Sequence, residues 1–177
     1  RTRETLELVL KLIPGIDRPL ILDADALFAL AGHVSVLKKR RQPTILTPHT
    51  GELGAIIGQD STAIDTNRVE VSQESANKLR SILCLKGSPT ATATQRGKVY
   101  LNPTGNPGMA TIGSGDVLTG IIGGLLGQGM SPNEAAFSGV FIHGLAGDIA
   151  AAKLGQRSLM AMDILDHLPG VLKRLES

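Results

Sequence analysis

A chain of 177 residues, 42% hydrophobic and 19% charged, is long enough to bury a sizeable core, which at 2% aromatic content must be built from Leu, Ile, Val and Ala. The formal charge of +2 is scattered except at Lys38 to Arg41, and no aromatic residue lies beside that run for base stacking, so it is read as a solvated helix end and nucleic acid is not an expected partner. The single cysteine, Cys84, can form neither an internal disulfide nor a metal cluster, which fits a reducing, cytoplasmic setting; no signal-peptide pattern is visible, and the longest apolar stretch, Val117 to Gly127, is too short to span a bilayer, so no membrane partner is expected.

In chain order, Leu6, Val9, Leu10 and Ile13 recur at helical spacing and Pro14-Gly15 stops the pattern. A helical pattern that begins at once from Arg1 predicts a piece of a longer protein. Pro19 to Leu22 reads as a short buried strand with Asp23 and Asp25 just past its end, where ligands collect in open α/β sheets. Asp25 is the better candidate to face a site, since Asp23 is equally well explained as a turn or cap residue.

A short helix from Ala26 to Ala31 leads to a second strand, Thr44 to Leu46, then to Thr47-Pro48-His49-Thr50-Gly51-Glu52. Thr50 or Gly51 starts the next helix and leaves His49 and Glu52 at its N-terminus. A histidine there serves equally as a hydrogen-bonded structural residue or a functional one. Residues 58 to 66 read as loop, and Asn67 to Ser81 as a polar helix with Val69, Ala76 and Leu79 inward. A third strand, Ile82 to Leu85, opens into Lys86-Gly87-Ser88-Pro89-Thr90, a cation, a glycine and hydroxyls suited to a nucleotide phosphate or ribose, with Lys86 by itself also readable as a surface charge. Thr90 to Thr94 and Lys98 to Leu101 flank a hairpin turn at Gln95-Arg96-Gly97.

The stretch from Gly105 to Gly127 organises the rest. Its turn, Gly113-Ser114-Gly115, delivers Asp116 to the start of an apolar helix, where backbone amides without intrahelical partners and the positive end of the helix dipole favour phosphate oxygens. Next, Ser131-Pro132-Asn133-Glu134 predicts a capping box opening a helix that is apolar on nearly every side, hence buried, with His143 as a packing residue. Gly120, Gly123, Gly124, Gly127, Gly139, Gly144 and Gly147 predict two helices packed backbone to backbone. Met162 to Leu175 is a last amphipathic helix, its stripe formed by Leu165, Leu168, Val171, Leu172 and Leu175.

Strands ending in polar loops and alternating with helices predict an α/β fold, a mostly parallel sheet flanked by helices. Asp25, His49 with Glu52, and Lys86 to Thr90 are expected to converge at strand ends, with the glycine-rich helix start as a further wall.

The motifs LDADAL, TPHTGE, LKGSPT and GNPGMATIGSGDVLTG, in that order, resemble the ADP- or ATP-dependent NAD(P)H-hydrate dehydratases of the ribokinase-like superfamily, over essentially the whole chain. The resemblance implies a ribokinase-like fold, with residues 1–177 forming a single, incomplete domain. It implies repair of hydrated NADH or NADPH, in which a nucleotide phosphoryl group is transferred to the hydroxyl and phosphate is then lost. By position, Asp116 is the base and a substrate contact, and His49, Asp25 and Asn106 are assigned to the hydrate. Lys86, Gly87, Ser88, Pro89, Thr90, Gly113, Ser114 and Gly115 are assigned to the adenine nucleotide, ADP or ATP. Magnesium is expected from phosphoryl chemistry, although no carboxylate cluster marks a cage for it. A homo-oligomer is expected.

Three departures stand out. Phe28 replaces an asparagine, Ile112 stands where glycine is common and should narrow the turn, and a glycine-rich segment that precedes this region in the family is absent. Two other readings use the same residues. One is a ribokinase-like kinase of a hydroxymethylpyrimidine or thiazole alcohol, which would share the GSGD turn and Asp116. The other is a truncated remnant that only binds nucleotide or assembles with itself through edge strands.

Overall fold

Thr2 opens the first helix, α1 (Arg3–Leu12), by accepting the Thr5 N–H at 3.3 Å, and Pro14 turns its end into a short 3-10 segment. The computed structural model describes residues 2–176. They divide into two compact units, one of residues up to 87 with 91–100, the other of 88–90 with the residues from 101 onward.

The first unit continues through β1 (Leu20–Leu22), α2 (Asp25–Ala29), α3 (Ser35–Lys38), β2 (Thr44–Leu46), α4 (Thr50–Ile57), α5 (Ser61–Thr66), α6 (Arg68–Leu79), β3 (Ile82–Leu85), β4 (Ala91–Ala93) and β5 (Val99–Leu101). The strands lie in the order β1-β2-β3-β4-β5. Ile21 pairs with Ile45 and Ile45 with Ile82 in parallel register, whereas β3 and β4 are antiparallel with Cys84 opposite Thr92. The sheet is thus mixed, parallel only through β1 to β3. Helices supply the long crossovers between those three, but the five residues from Lys86 to Thr90 are too few for a crossover and turn the chain back on itself. Leu22, Leu27, Leu30, Leu46, Leu53, Ile64, Leu79, Leu83 and Leu85 form its core.

Two local expectations are corrected here. Residues 58 to 66 are not all loop: Gly58 ends α4 in the left-handed region, and Asp60 caps α5 by accepting the N–H groups of Thr62 (2.9 Å) and Ala63 (3.2 Å). One turn anchored by a single buried residue, Ile64, has too little apolar periodicity to register as a helix. On α6 the inward positions are Arg68, Ser72, Ser75, Ala76 and Leu79, while Val69 is exposed, because close packing against the sheet takes small serines there.

The basic run is not uniformly solvated either. Arg40 is half-buried and donates to the carbonyl oxygens of Ile13 (2.5 Å), Ile16 (3.1 Å) and Arg18 (2.7 Å) and to Thr44 Oγ1 (2.8 Å). It ties the connection between α1 and β1 to the start of β2. Burial lowers its pKa from the usual guanidinium value, with Asp17 acting against that shift. Arg40→Ala should lower stability by about 2–4 kcal/mol in urea denaturation, since it strands several carbonyls at once, and Arg40→Lys should recover little because an ammonium cannot reproduce the guanidinium fork. Cys84 is fully buried, and burial pushes its thiol up to about 12, so it is a packing residue rather than a nucleophile.

The second unit contains α7 (Ser114–Gly127), α8 (Pro132–Leu154) and α9 (Ala161–Leu175) around Ile121, Ile142, Ala146, Ala150, Leu159, Ile164 and Val171. Ser131 caps α8 by accepting the Glu134 N–H at 3.4 Å, and its hydroxyl donates to Glu134 Oε2 at 2.5 Å; the carboxylate therefore returns to the cap side chain rather than to its backbone. By length and composition α8, not the shorter α7, is the apolar segment that could cross a bilayer. Just over half of its apolar window is buried, so its burial is partial, with Ala135, Ala136, Gly139, Val140 and Ala146 inward.

The glycines of these helices do three different jobs. A Cβ on Gly139 would lie 2.5 Å from Ile122 Cγ1, so Gly139 does allow α7 and α8 to approach closely. Gly144 and Gly147 instead make room for Thr104 and Met109 of the preceding loop, and Gly120, Gly124 and Gly127 have open space where a Cβ would be. Of these glycines, Gly139 marks a close crossing of α7 and α8. The α9 stripe also divides. Ile164 and Val171 are buried, whereas Leu165, Leu172 and Leu175 are exposed, Leu165 and Leu172 along a groove shared with α7.

Candidate functional site

In the first unit the ends of the three parallel strands bring four polar side chains together. Lys86, just past β3, donates from Nζ to Asp23 Oδ1 at 2.9 Å, just past β1, and lies 3.7 Å from Glu52 Oε2 in the first turn of α4. The Lys86 N–H donates to the Pro48 carbonyl at 2.8 Å, which anchors this loop to the end of β2. His49 is the N-cap of α4: Nδ1 accepts from the N–H groups of Gly51 (3.1 Å) and Glu52 (3.2 Å), and Glu52 Oε2 accepts the His49 N–H at 2.8 Å. A neutral ring in this role carries its proton on Nε2, which lies 3.6 Å from Glu52 Oε2 on a side chain that is 60% exposed. The residue is thus a cap through one ring nitrogen and presents the other edge outward.

Asp25 does not join this cluster through any of these contacts. It is the exposed first residue of α2, reached through Ala24, whose φ of +49° makes the sharp turn from β1. The carboxylate that meets Lys86 is Asp23, the one equally readable as a cap.

Arg68 shapes the same strand end from below. Its buried guanidinium donates to the carbonyls of Leu85 (3.1 Å) and Lys86 (3.3 Å) and pairs with Asp65. Gly87 lies directly against it: a Cβ there would run into the guanidinium. Lys86 and Gly87 belong to the first unit and Ser88 to Thr90 to the second, with a cis peptide between Ser88 and Pro89.

In the second unit, Gly113 takes the left-handed conformation (φ +89°) that lets α7 begin at Ser114. Ile112, whose β-branch was expected to narrow the turn, is 99% exposed and does not occupy the left-handed position. Ser114 N–H donates to Thr111 O and Val117 N–H to Gly113 O, while among the described residues no acceptor takes the N–H groups of Gly115 and Asp116. Two amides without an acceptor at the start of a 14-residue helix lie at the positive end of its dipole, where negative charge is favoured. Asp116 stands exposed in that first turn and lines a groove of about 570 Å³ along α7 and α9, with Gly120, Gly124, Leu165 and Leu172. The buried Ser114 is met by His143 of α8, with Oγ and Nε2 3.3 Å apart, so His143 supports the turn as well as packing. Asn106 caps the 3-10 turn Pro107–Met109 by accepting the Gly108 N–H at 3.1 Å, and its Nδ2 donates to Asp148 Oδ1 at 2.9 Å.

Asp23, Arg68, His143 and Asp148 are the residues that sequence reasoning passed over or read otherwise. The last two had a usable signal, as polar side chains inside an otherwise apolar helix; Arg68, on a polar helix, had none. No group of three or more His, Cys, Asp or Glu side chains able to hold a metal occurs among the described residues. Among the described residues, magnesium is matched by no carboxylate cage, and the phosphates of a bound nucleotide would be its natural ligands.

The chain matches the family model described as NAD(P)H-hydrate dehydratase over residues 2–170. A bifunctional NAD(P)H-hydrate repair enzyme of Moorella thermoacetica is 50% identical to it over 176 residues, 99% of this chain and 33% of that protein. The crystal structure of an ADP/ATP-dependent NAD(P)H-hydrate dehydratase from Bacillus subtilis, co-crystallized with ATP/Mg2+, superposes with a TM-score of 0.88 at 36% identity, over 97% of this chain and 60% of that one. A ribokinase-like superfamily protein from Enterococcus faecalis gives a TM-score of 0.66 at 27% identity, over 97% and 68%. This chain thus spans 33% of the first relative and 60% of the second. With its mixed sheet and a family match over residues 2–170, it belongs to the NAD(P)H-hydrate dehydratase family and has the ribokinase-like fold.

Proposed function

We propose that this chain carries the nucleotide-dependent dehydration of hydrated NADH and NADPH, with ADP or ATP as phosphoryl donor. The observation that carries this reading is Asp116, an exposed carboxylate in the first turn of α7 beside the unpaired amides of Gly115 and Asp116 itself. A hydroxyl is too weakly acidic to be phosphorylated unaided, and a carboxylate placed to take its proton answers that need. In the first step the hydrate oxygen bonds to phosphorus, the bond from phosphorus to the nucleotide's bridging oxygen breaks, and Asp116 accepts the proton. In the second, the carbon–oxygen bond breaks with its electron pair leaving on phosphate, the adjacent carbon gives up its proton to the departing phosphate or to water, and the ring double bond is restored.

Amides at the α7 start stabilise the charge on the transferring group, as donors aimed at developing charge do in other transfer sites. Gly113, Ser114 and Gly115 hold the nucleotide there, and Lys86 with Gly87, Ser88, Pro89 and Thr90 forms the loop assigned to it. Asp23 and Glu52 hold the Lys86 ammonium in place, so its orientation is set in advance. His49, Asp25 and Asn106 are assigned to the hydrate; the outward edge of His49, free of its capping duty, is the part available for it. Magnesium, when bound with the nucleotide, supplies charge neutralisation on the phosphates. A cytoplasmic location and a homo-oligomeric state belong to the same reading, and the buried single thiol is in keeping with the former.

The test is to add ADP or ATP to hydrated cofactor in the presence of the folded chain and follow the near-ultraviolet absorbance of the dihydronicotinamide. Absorbance should return in step with phosphate release. Nucleotide consumption without that return would point to a kinase, and the absence of both signals would overturn the catalytic reading.

A further inference from the structure

Beyond its first turn, α8 carries a single carboxylate, Asp148, which is half-buried. Both of its oxygens are committed to one short turn. Oδ2 accepts the Gly105 N–H at 2.8 Å and Oδ1 accepts from Asn106 Nδ2 at 2.9 Å, while Asn106 Oδ1 accepts the Gly108 N–H at 3.1 Å. A carboxylate can only accept, so Asp148 selects the orientation of the Asn106 amide that points Nδ2 toward α8. Hydrogen bonds to an ionised acceptor are also about twice as strong as neutral ones. The surroundings reinforce the docking: Thr104 Oγ1 donates to the Phe141 carbonyl at 2.9 Å, and side-chain-free Gly144 and Gly147 receive Thr104 and Met109.

We propose that Asp148 is a positioning residue for the hydrate. It fixes the 105–108 turn and locks the Asn106 amide so that the second N–H and remaining lone pair of that side chain are presented in one arrangement. The proposal rests on the dehydratase reading for the identity of what Asn106 meets, but not for the geometry of the turn.

Asp148→Asn keeps the shape and removes one acceptor, setting an amide N–H against a backbone N–H or against Asn106 Nδ2. Pairing it with Asn106→Asp restores a complete set: the Gly105 N–H to the new amide oxygen, the new amide N–H to the new carboxylate, and the Gly108 N–H to the other carboxylate oxygen. In the single variant the hydrate KM should rise on the order of tenfold or more, as expected for a misplaced substrate contact, with the nucleotide KM and kcat little changed. Amide hydrogen exchange at Gly105 should accelerate in parallel, and the exchange protection should return in the double variant. A parallel rise of both KM values, or unchanged Gly105 exchange, would overturn the proposal; so would lost protection with an unchanged hydrate KM. Absence of hydrate turnover in the unsubstituted chain would strike the dehydratase reading itself, and Gly105 exchange would still decide whether Asp148 holds the turn.

Discussion

Asp116→Asn is expected to lower turnover of the hydrate on the order of a hundredfold to ten-thousandfold, the usual contribution of a positioned general base. Nucleotide affinity should change little, because the nucleotide site proposed at the start of α7 is made by backbone amides that the substitution leaves in place. Stability should shift by no more than about 0.3–1 kcal/mol, the value of a single charge at a helix N-terminus. Steady-state kinetics and calorimetric titration with ADP or ATP separate the two effects. Undiminished turnover would remove Asp116 from the role of base. A matched fall in nucleotide affinity would instead make it part of the nucleotide site.

The second large effect is expected at Arg68, which no motif contains. Its buried guanidinium satisfies the carbonyls of Leu85 and Lys86 where β3 opens into the Lys86 loop. Arg68→Ala strands both, and the loss should be about 2–4 kcal/mol in chemical denaturation, with Arg68→Lys recovering little of it. A variant folded at low temperature should also bind nucleotide more weakly, since the same carbonyls hold the Lys86-Gly87 backbone in place. Gly87→Ala approaches the same contact from the other side, because its added methyl would displace the guanidinium. Unchanged stability in Arg68→Ala would show that water replaces the guanidinium at those carbonyls.

Arg40 and Arg68 share a feature that explains why sequence reasoning missed their roles. Each is a charged side chain whose partners are mostly backbone groups of a distant segment, such as Ile13 and Arg18 for Arg40 or Leu85 and Lys86 for Arg68. Backbone groups carry no residue-type signature, so nothing in composition or spacing announces such a bond. The same holds for the choice between Asp23 and Asp25. They stand two positions apart in one motif, yet only chain closure over the sequence separation of 63 from Asp23 to Lys86 brings the first of them to the ammonium.

By itself the sequence determined what local chemistry controls. β2 and β3 lie where apolar runs bounded by polar residues placed them, α4 begins at Thr50, one of its two expected starts, α8 starts at Pro132 after Ser131, and α7 brings Asp116 to its first turn behind the left-handed Gly113. It also determined the family, because four motifs in fixed order are more restrictive than any periodicity. Only the tertiary structure decided the rest: that the sheet turns antiparallel after β3, that Gly144 and Gly147 receive a loop and Gly139 a helix, and which polar side chains meet. The physical reason is range. Caps, turns and strand runs are set by neighbours within a few residues, whereas a hydrogen bond between α8 and the turn at Gly105 exists only once the whole unit has closed around it.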